Sequence, residues 1–319
     1  MTDWKPGASL EALRLRAALL AKTRAFFAAR NVLEVETPLL TNHTVTDVHL
    51  ESLNVIRADA SPGSQAPLFL QTSPEFAMKR ILAAGSGAIY QLCKAFRAGE
   101  TSARHNPEFT MLEWYRPGYS LEELMDEVGA LLQHCLGVHD ITRLSYRDAF
   151  KTALGIDPHT ATHAELGKLA NAHVDLQAQA LDSTDYLQLL MSEVVEPALP
   201  ANCFVYDYPQ AQAALAVVAE DAKGQLVARR FELYGAGMEL ANGYQECLDA
   251  GELRRRFRRD QQRRQELGLT PVDMDEKLLA ALPSMTACSG VALGFDRLLM
   301  LASKSTSIEQ VISFTTAKT

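Results

Sequence analysis

Along 9–29 the apolar residues Leu10, Leu13, Ala17, Leu20 and Phe27 recur at spacings of three, four and seven, which predicts a helix with one apolar stripe. Ser9 supplies the cap and Glu11 the first-turn acid, and a short extended run at 32–35 follows, stopped by Pro38. A second helix is predicted from Ser73, where a serine cap, a proline at the first helical position and the acidic Glu75 sit together; it ends before Gly85. The pattern then changes from helical spacing to alternation. From 89 to 97 one face carries Ile89, Gln91, Cys93, Ala95 and Arg97, and from 108 to 115 one face carries Phe109, Met111, Glu113 and Tyr115. The polar link at 98–107, containing Gly99, makes these two runs an antiparallel hairpin with a long loop.

Residues 120–200 read as a largely helical insert rich in Ala, Leu, His and Gln. Extended runs follow at 204–206, 214–219, 231–234 and 238–242, the last two joined through Gly235, Ala236 and Gly237. Seven arginines between Arg254 and Arg264 lie at helical spacing around Leu253 and Phe257, and 290–302 reads as a strand, a glycine and a helix. The pattern predicts an α+β fold, an antiparallel sheet flanked by helices, without internal repeats. At 319 residues, length alone allows about two domains or one large one.

Hydrophobic residues make up 47% of the chain and charged residues 22%, ordinary usage for a folded protein. With 31 Lys and Arg against 39 Asp and Glu, the net charge of −8 removes the bulk electrostatic footprint of a general nucleic-acid binder, although a local basic patch remains open. No run approaches 18 apolar residues and 1–9 lacks a signal-peptide pattern, so a cytoplasmic location away from membranes is expected. The five cysteines lie 41 or more residues apart, which argues against a CxxC zinc or redox motif and for reduced, mostly buried thiols.

GxxxxGK[ST], GxSxG and HExxH are absent, and Gly85-Ser86-Gly87 lacks the third glycine of a dinucleotide loop. The hairpin offers another way to hold phosphate. Arg97 ends a strand whose neighbours on the same face, Cys93 and Ala95, are small, and a guanidinium grips phosphate bidentately. Phe109, Glu113 and Tyr115 share the facing strand, so an aromatic platform, a carboxylate and a phenol line one cavity; the competing reading is a plain amphipathic hairpin with Phe109 and Tyr115 in the core.

The strings FRAGETSARHNPEFTMLEWY at 96–115 and GVALGFDRLLML at 290–301 resemble motifs 2 and 3 of the class II aminoacyl-tRNA synthetases, and 30–40 with Pro38 resembles motif 1. HNPEF at 105–109 and MELANGYQE at 238–246 resemble the lysyl, aspartyl and asparaginyl subgroup, lysyl-tRNA synthetase most of all. The resemblance covers most of the chain and implies a single catalytic domain over 1–319 that forms a homodimer through motif 1, with ATP and Mg²⁺ as cofactors. It puts Arg97 on the ATP α-phosphate, Phe109 on adenine and Arg297 on the γ-phosphate, Arg97 and Arg297 being the catalytic pair. Fixed guanidinium groups suit that role, because in-line attack on phosphorus spreads negative charge over phosphate oxygens. Gly99, Glu100, Asn106, Leu240 and Gly294 complete the implied nucleotide site, Gly294 by letting backbone approach ATP closely. Glu239 and Glu246 are the implied Mg²⁺ carboxylates, Glu239 also serving ATP and Glu246 the substrate amine.

Two features depart from the family pattern. Gly99 stands where the family often has Arg-x-Glu, moving the acid to Glu100, and Glu239 and Glu246 have opposite parity on one strand, so they share a site only if the strand ends or bends near Gly243. Lysyl-tRNA synthetases carry an N-terminal anticodon-binding domain of roughly 100 residues, whereas the motif 1 helix here begins near Ser9, so anticodon binding is not expected. A freestanding core of this kind resembles the elongation factor P (R)-β-lysine ligases, paralogues of lysyl-tRNA synthetase. That resemblance implies adenylation of (R)-β-lysine and its transfer to a lysine of elongation factor P, with Ser73, Pro74, Glu75, Glu113, Tyr115, Asn242, Glu246 and Ala292 around the amino acid. Ala292 replaces a glycine and Ser73 the alanine of the APE form, and an added methyl discriminates between close analogues by roughly 1–3 kcal/mol. Other readings stay open: a truncated synthetase using tRNA, an ammonia-using amide ligase, or an accessory subunit without catalysis. The arginine cluster is either a solvated face paired to Glu252, Asp260 and Glu266 or a docking surface for an acidic partner.

Overall fold

The computed structural model describes residues 4–56, 67–174 and 181–319. The leader reading at 1–3 and the stretch 175–180 of the expected insert lie outside these residues. In chain order the elements are α1 (Leu10–Ala28), β1 (Leu33–Glu34), β2 (Leu40–Thr41), β3 (Asn54–Val55), β4 (Leu68–Leu70), α2 (Glu75–Ala83), β5 (Ile89–Phe96) and β6 (Glu108–Pro117). They continue with α3 (Leu121–Leu136), β7 (Thr142–Ser145), α4 (Tyr146–Leu154), α5 (His163–His173), α6 (Ser183–Leu190), α7 (Glu196–Ala198), β8 (Asn202–Pro209), β9 (Val218–Glu220), β10 (Leu226–Gly235) and β11 (Met238–Gln245). The last are α8 (Ala250–Glu266), α9 (Glu276–Ala281), β12 (Cys288–Gly294) and α10 (Phe295–Ser303). The chain divides into two compact units, one of Met1–Gly118, His134–Leu136 and Cys247–Thr319, the other of Tyr119–Gln133 and Gly137–Glu246.

In the first unit β1 runs parallel to β5, and β5, β6 and β12 follow as antiparallel neighbours. A small antiparallel sheet, β2-β4-β3, accompanies them. The even-numbered face of the hairpin is closed by α1. Phe27 stacks on Tyr90 at 4.4 Å between ring centroids and meets Trp114 edge-on at 5.3 Å. Arg16 extends from the same helix to Asp296 and to Thr110 Oγ1, both at 2.6 Å, and Asp296 also accepts from the Thr110 backbone N–H at 2.6 Å. Asp296 is buried, and these three bonds lock α1, β6 and α10 around its charge.

Ser9 caps α1 as expected, its hydroxyl accepting from Ala12 N–H at 3.1 Å. The expected apolar stripe is displaced: the inward residues are Ala12, Leu19, Thr23, Phe26 and Phe27, while Leu10 is 69% exposed. Apolar residues occupy most of this helix's circumference, so periodicity leaves the buried side open and the Phe27 contact with the sheet decides it. On α2 the N-cap position is Pro74, one residue beyond the expected Ser73, although the Ser73 hydroxyl still accepts from Glu75 N–H at 3.0 Å.

The second unit carries a sheet ordered β11-β10-β8-β7, antiparallel except for the parallel β7–β8 pair, with β9 paired to β10. Tyr146, Phe150, Leu187, Leu190, Val205 and Tyr208 form the core between the sheet and the helices α4 to α6. The strand expected at 214–219 shrinks to Val218–Glu220 because Ala214 has φ 45°, which no extended run accommodates. Each unit is thus a mostly antiparallel sheet with flanking helices, the α+β class the pattern predicts.

Gly243 is not a bend, since β11 continues through it to Gln245. Its glycine answers to packing: a Cβ there would lie 2.4 Å from the Phe231 ring. Gly243→Ala should therefore destabilise the fold by about 1–3 kcal/mol, measured by denaturant unfolding, and Phe231→Leu in the same chain should recover part of that loss; an alanine variant as stable as the parent would contradict this packing.

Candidate functional site

Strand register builds the site in the first unit. Ala95 pairs with Phe109, Cys93 with Met111, Gln91 with Glu113 and Ile89 with Tyr115, while across β6 Met111 pairs with Gly294, Glu113 with Ala292 and Tyr115 with Gly290. Paired residues in antiparallel strands share a face, so the expected row of Cys93, Ala95, Phe109, Glu113 and Tyr115 is brought together with Ala292 and Gly294. Arg97 follows the end of β5, its guanidinium carbon 5.0 Å from the Phe109 ring centroid and its NH1 3.6 Å from Glu100 Oε1. Its Nε is buried with no hydrogen-bond partner, which leaves a donor directed into the structure for an anionic oxygen. An aromatic ring, a guanidinium and that donor fit a nucleotide's base and phosphate. Gly99 turns the loop at φ +78°, a conformation that favours glycine.

At the other end of this face lies a buried carboxylate. Glu113 accepts from Tyr115 OH at 2.6 Å and from Ser73 Oγ at 2.8 Å, both neutral hydroxyl donors. Burial pushes its pKa up to about 8, the nearby Glu75 carboxylate adds to the rise, and the Tyr115, Ser73 and Lys79 contacts oppose it. Glu75 is bound by Lys79 Nζ at 2.6 Å, and the Lys79 side chain is 0% exposed. Lys79 belongs to no motif of the sequence. The available signal was its place beside Met78 and Leu82 on the inward side of α2, where a charge needs a partner. Gln71 braces the neighbouring strand, donating from Nε2 to Lys94 O at 2.9 Å, and burial raises the Cys93 thiol to about 12.

The loop after β5 folds back through a Ser102–His105 bridge and brings His105 Nε2 within 2.5 Å of Arg297 NH2. Arginine only donates, so Nε2 accepts and Nδ1 carries the proton toward Ser102 Oγ, 2.8 Å away. Burial, and then the Arg297 charge, lower the His105 pKa and favour this neutral form. His105 stood inside the HNPEF string without a role from sequence. Asn106 is engaged structurally: its amide donates to Glu108 O at 2.7 Å and accepts from Thr316 N–H at 3.0 Å, tying the loop to the C-terminal segment. Gly294 caps α10 at φ −69°, and an added Cβ would meet only the Arg297 side chain at 3.5 Å, so neither torsion nor protein packing demands glycine there.

Glu239, Leu240, Asn242 and Glu246 belong to the second unit, along or just after β11. Tyr234 pairs with Glu239 and Leu233 with Ala241, so Leu240 is an extra residue, a β-bulge. That bulge reverses the parity, and Glu239, Asn242, Tyr244 and Glu246 share one face; the irregularity expected at Gly243 lies at Leu240. Asn242 Oδ1 accepts from Arg230 Nε at 3.2 Å, Arg230 NH1 donates to Gln212 O at 3.0 Å, and its other terminal nitrogen pairs with Glu232. Tyr208 OH donates to Glu232 at 2.7 Å and Tyr234 OH donates to the same carboxylate. Glu246 is buried and its residue forms a β-bridge with Ala216. Among the described residues no group of three metal-ligating side chains converges. Two carboxylates on one face suit Mg²⁺, which takes one or two protein carboxylates and completes its shell with phosphate and water.

The arginine cluster on α8 is mostly paired. Arg254 binds Glu276, Arg255 and Arg256 bind Glu252, Arg263 binds Glu266, and buried Arg264 reaches Glu51 at 2.7 Å. Asp260, expected to pair with an arginine, instead accepts from Thr46 Oγ1 at 2.8 Å.

The family model for class II tRNA synthetases (D, K and N) matches residues 2–318. Among curated proteins, the elongation factor P--(R)-beta-lysine ligase of Pseudoalteromonas translucida (strain TAC 125) is 49% identical over 317 residues, covering 98% of this chain and 97% of that protein. Proteins of the same name from Erwinia tasmaniensis (48% over 319 residues, 98% and 97% covered) and Vibrio vulnificus (47% over 317 residues, 98% of each) are similarly related.

Glu113 gives a pH test of the site. Its carboxyl is raised from 4.5 to about 8 on folding, so the folded state holds a proton that the unfolded chain releases. The associated stability is complete below about pH 4.5 and is lost as pH rises through about 8. In Glu113→Gln that loss should disappear, so the melting temperature of the variant relative to the parent should climb between pH 5 and 8 and level off above 9; parallel curves would contradict the assignment.

Proposed function

The chain belongs to the family of class II tRNA synthetases (D, K and N), and from that premise we propose that it activates (R)-β-lysine with ATP and transfers it to a lysine side chain of elongation factor P. The relatives at 44–49% identity over nearly full length carry that activity in their names. The observation that carries the reading in this chain is the continuous face of β5, β6 and β12, with Arg97 and Phe109 at one end and a buried carboxylate with Tyr115 and Ser73 at the other. One end suits a nucleotide and the other an alkyl ammonium.

In the first step a carboxylate oxygen of the amino acid attacks the α-phosphorus, and the bond to pyrophosphate breaks. Arg97 holds the α-phosphate, Phe109 the adenine, and Arg297 the γ-phosphate, Arg297 exchanging its bond to His105 for one to phosphate. Positioned guanidinium groups stabilise charge growing on those oxygens without reorganising. Gly99, Glu100, Asn106, Leu240 and Gly294 shape the nucleotide site. Ser73, Pro74, Glu75, Glu113, Tyr115, Asn242, Glu246 and Ala292 hold the amino acid, with Ala292 placing its methyl in register with Glu113. Glu239 and Glu246 would hold Mg²⁺, which supplies charge neutralisation for the phosphates. In the second step the acceptor ε-amine attacks the acyl carbon, AMP leaves, the amine loses a proton and an amide forms. No covalent enzyme intermediate is required.

A single catalytic domain carrying the helices of about 120–200 as an insert completes the reading. We place the enzyme in the cytoplasm; among the described residues no helix is long and apolar enough to cross a membrane. A homodimer through 30–40 is supported by Leu33, Leu39 and Leu40, which are 56%, 38% and 45% exposed on that segment.

ATP–pyrophosphate exchange tests the activation step. The purified chain should exchange faster with (R)-β-lysine than with α-lysine, and Arg297→Ala should lower the exchange rate by about 10²–10³. Ala292→Gly should narrow the preference between the two lysines by about tenfold. Preference of the parent for α-lysine would return tRNA as the acceptor, and exchange with no amino acid would favour an accessory subunit.

A further inference from the structure

Arg230 has no role in the assigned set, yet its guanidinium touches a residue that does. The register of β10 on β11 pairs Arg230 with Tyr244 and Glu232 with Asn242, so these four side chains share one face. Three contacts hold the guanidinium fork. One terminal nitrogen pairs with Glu232, the other donates to Gln212 O at 3.0 Å, and the group lies over the Tyr208 ring, 4.6 Å from its centroid. Glu232 is fixed in turn, since Tyr208 OH donates to it at 2.7 Å and Tyr234 OH donates to the same oxygen. With both terminal nitrogens anchored, Nε is left facing Asn242 Oδ1 at 3.2 Å.

That contact decides which way round the Asn242 amide sits. A guanidinium only donates, so the amide atom facing Nε is the oxygen, and the Nδ2 hydrogens turn away from Arg230. Among the described residues none accepts from Nδ2. An amino acid such as (R)-β-lysine carries two ammonium groups, which only donate, and one carboxylate, which only accepts. On the reading that Asn242 meets the amino-acid substrate, we infer that Arg230 is a positioning residue that holds the Asn242 amide nitrogen toward the substrate, so that this position reads the carboxylate and not the amines. Stability supplies no comparable reason for the Arg230–Glu232 pair, because a buried ion pair is about as stabilising as apolar side chains of the same volume. A lysine at 230 keeps the charge beside Glu232 but has one nitrogen in place of a fork, so it cannot meet Glu232 and orient Asn242 together.

A double-mutant cycle in ATP–pyrophosphate exchange tests this. Arg230→Lys should raise the KM for (R)-β-lysine about tenfold, the loss of one charge-assisted hydrogen bond, and leave the KM for ATP within about twofold of the parent. In an Asn242→Ala background the same lysine substitution should change neither KM by more than about twofold, because the amide it orients is gone. Inhibition by 1,4-diaminopentane, which is (R)-β-lysine without its carboxylate, should be unaltered by Arg230→Lys. A lysine substitution that weakens the diamine as much as (R)-β-lysine, or that keeps its full effect in the Asn242→Ala background, shows a structural role alone and overturns the inference. If Arg230→Lys does not fold, Asn242→Asp decides: it keeps an oxygen toward Arg230 but puts an acceptor where the donor stood, so it should lose (R)-β-lysine at least as severely as Asn242→Ala while binding the diamine no more weakly than the parent, and parent-like use of (R)-β-lysine overturns the inference. Absence of any (R)-β-lysine-dependent exchange by the parent defeats the proposed function and this inference with it, whereas the other contrary results defeat the inference alone.

Discussion

A carboxyl group placed in the middle of β6, sealed from water between β5 and β12, constrains everything around it. Glu113 is tolerated there because Tyr115 and Ser73 donate to it and because the strand register leaves Gln91 on one side and the small Ala292 on the other. That register is held from behind. Phe27, Tyr90 and Trp114 fix the opposite face of the hairpin, and the Arg16–Asp296–Thr110 cluster locks α10 against β6. Slipping β6 by one residue would send Glu113 into that aromatic core and Trp114 into the site, so the packing of α1 and the chemistry of the site are one constraint.

Neighbouring residues in the GFDR segment divide structural and chemical work. Asp296 points its carboxylate inward to Arg16 and to the Thr110 N–H, while Arg297 faces the loop and rests against His105. The helix that α10 begins is thereby anchored at the residue next to the one proposed to meet phosphate. Arg297 is held in place by a neutral imidazole, a partner that a phosphate readily replaces because a guanidinium binds an anion more strongly than a neutral acceptor.

Strict alternation made the hairpin face legible: once β5 and β6 are antiparallel, Arg97, Phe109, Glu113 and Tyr115 have to converge. The cap of α1 follows from a single residue, Ser9, whose hydroxyl accepts from Ala12 N–H. The buried side of α1 was not legible, because apolar residues surround that helix. The shared face of Glu239 and Glu246 was hidden for another reason: a bulge at Leu240 inserts a residue that leaves no mark in composition, whereas Gly243, the visible irregularity, serves the Phe231 ring. Lys79 and His105 gained meaning only from tertiary neighbours, Glu75 in one case and Arg297 in the other.

The proposed reaction joins an adenylating face to a protein acceptor. Mass spectrometry of elongation factor P after incubation with this chain, ATP and (R)-β-lysine tests both halves at once. One β-lysyl group is expected on a single lysine through an amide bond, with one AMP formed per modified molecule. Unmodified elongation factor P together with aminoacylated tRNA, under conditions where the adenylate forms, would contradict it.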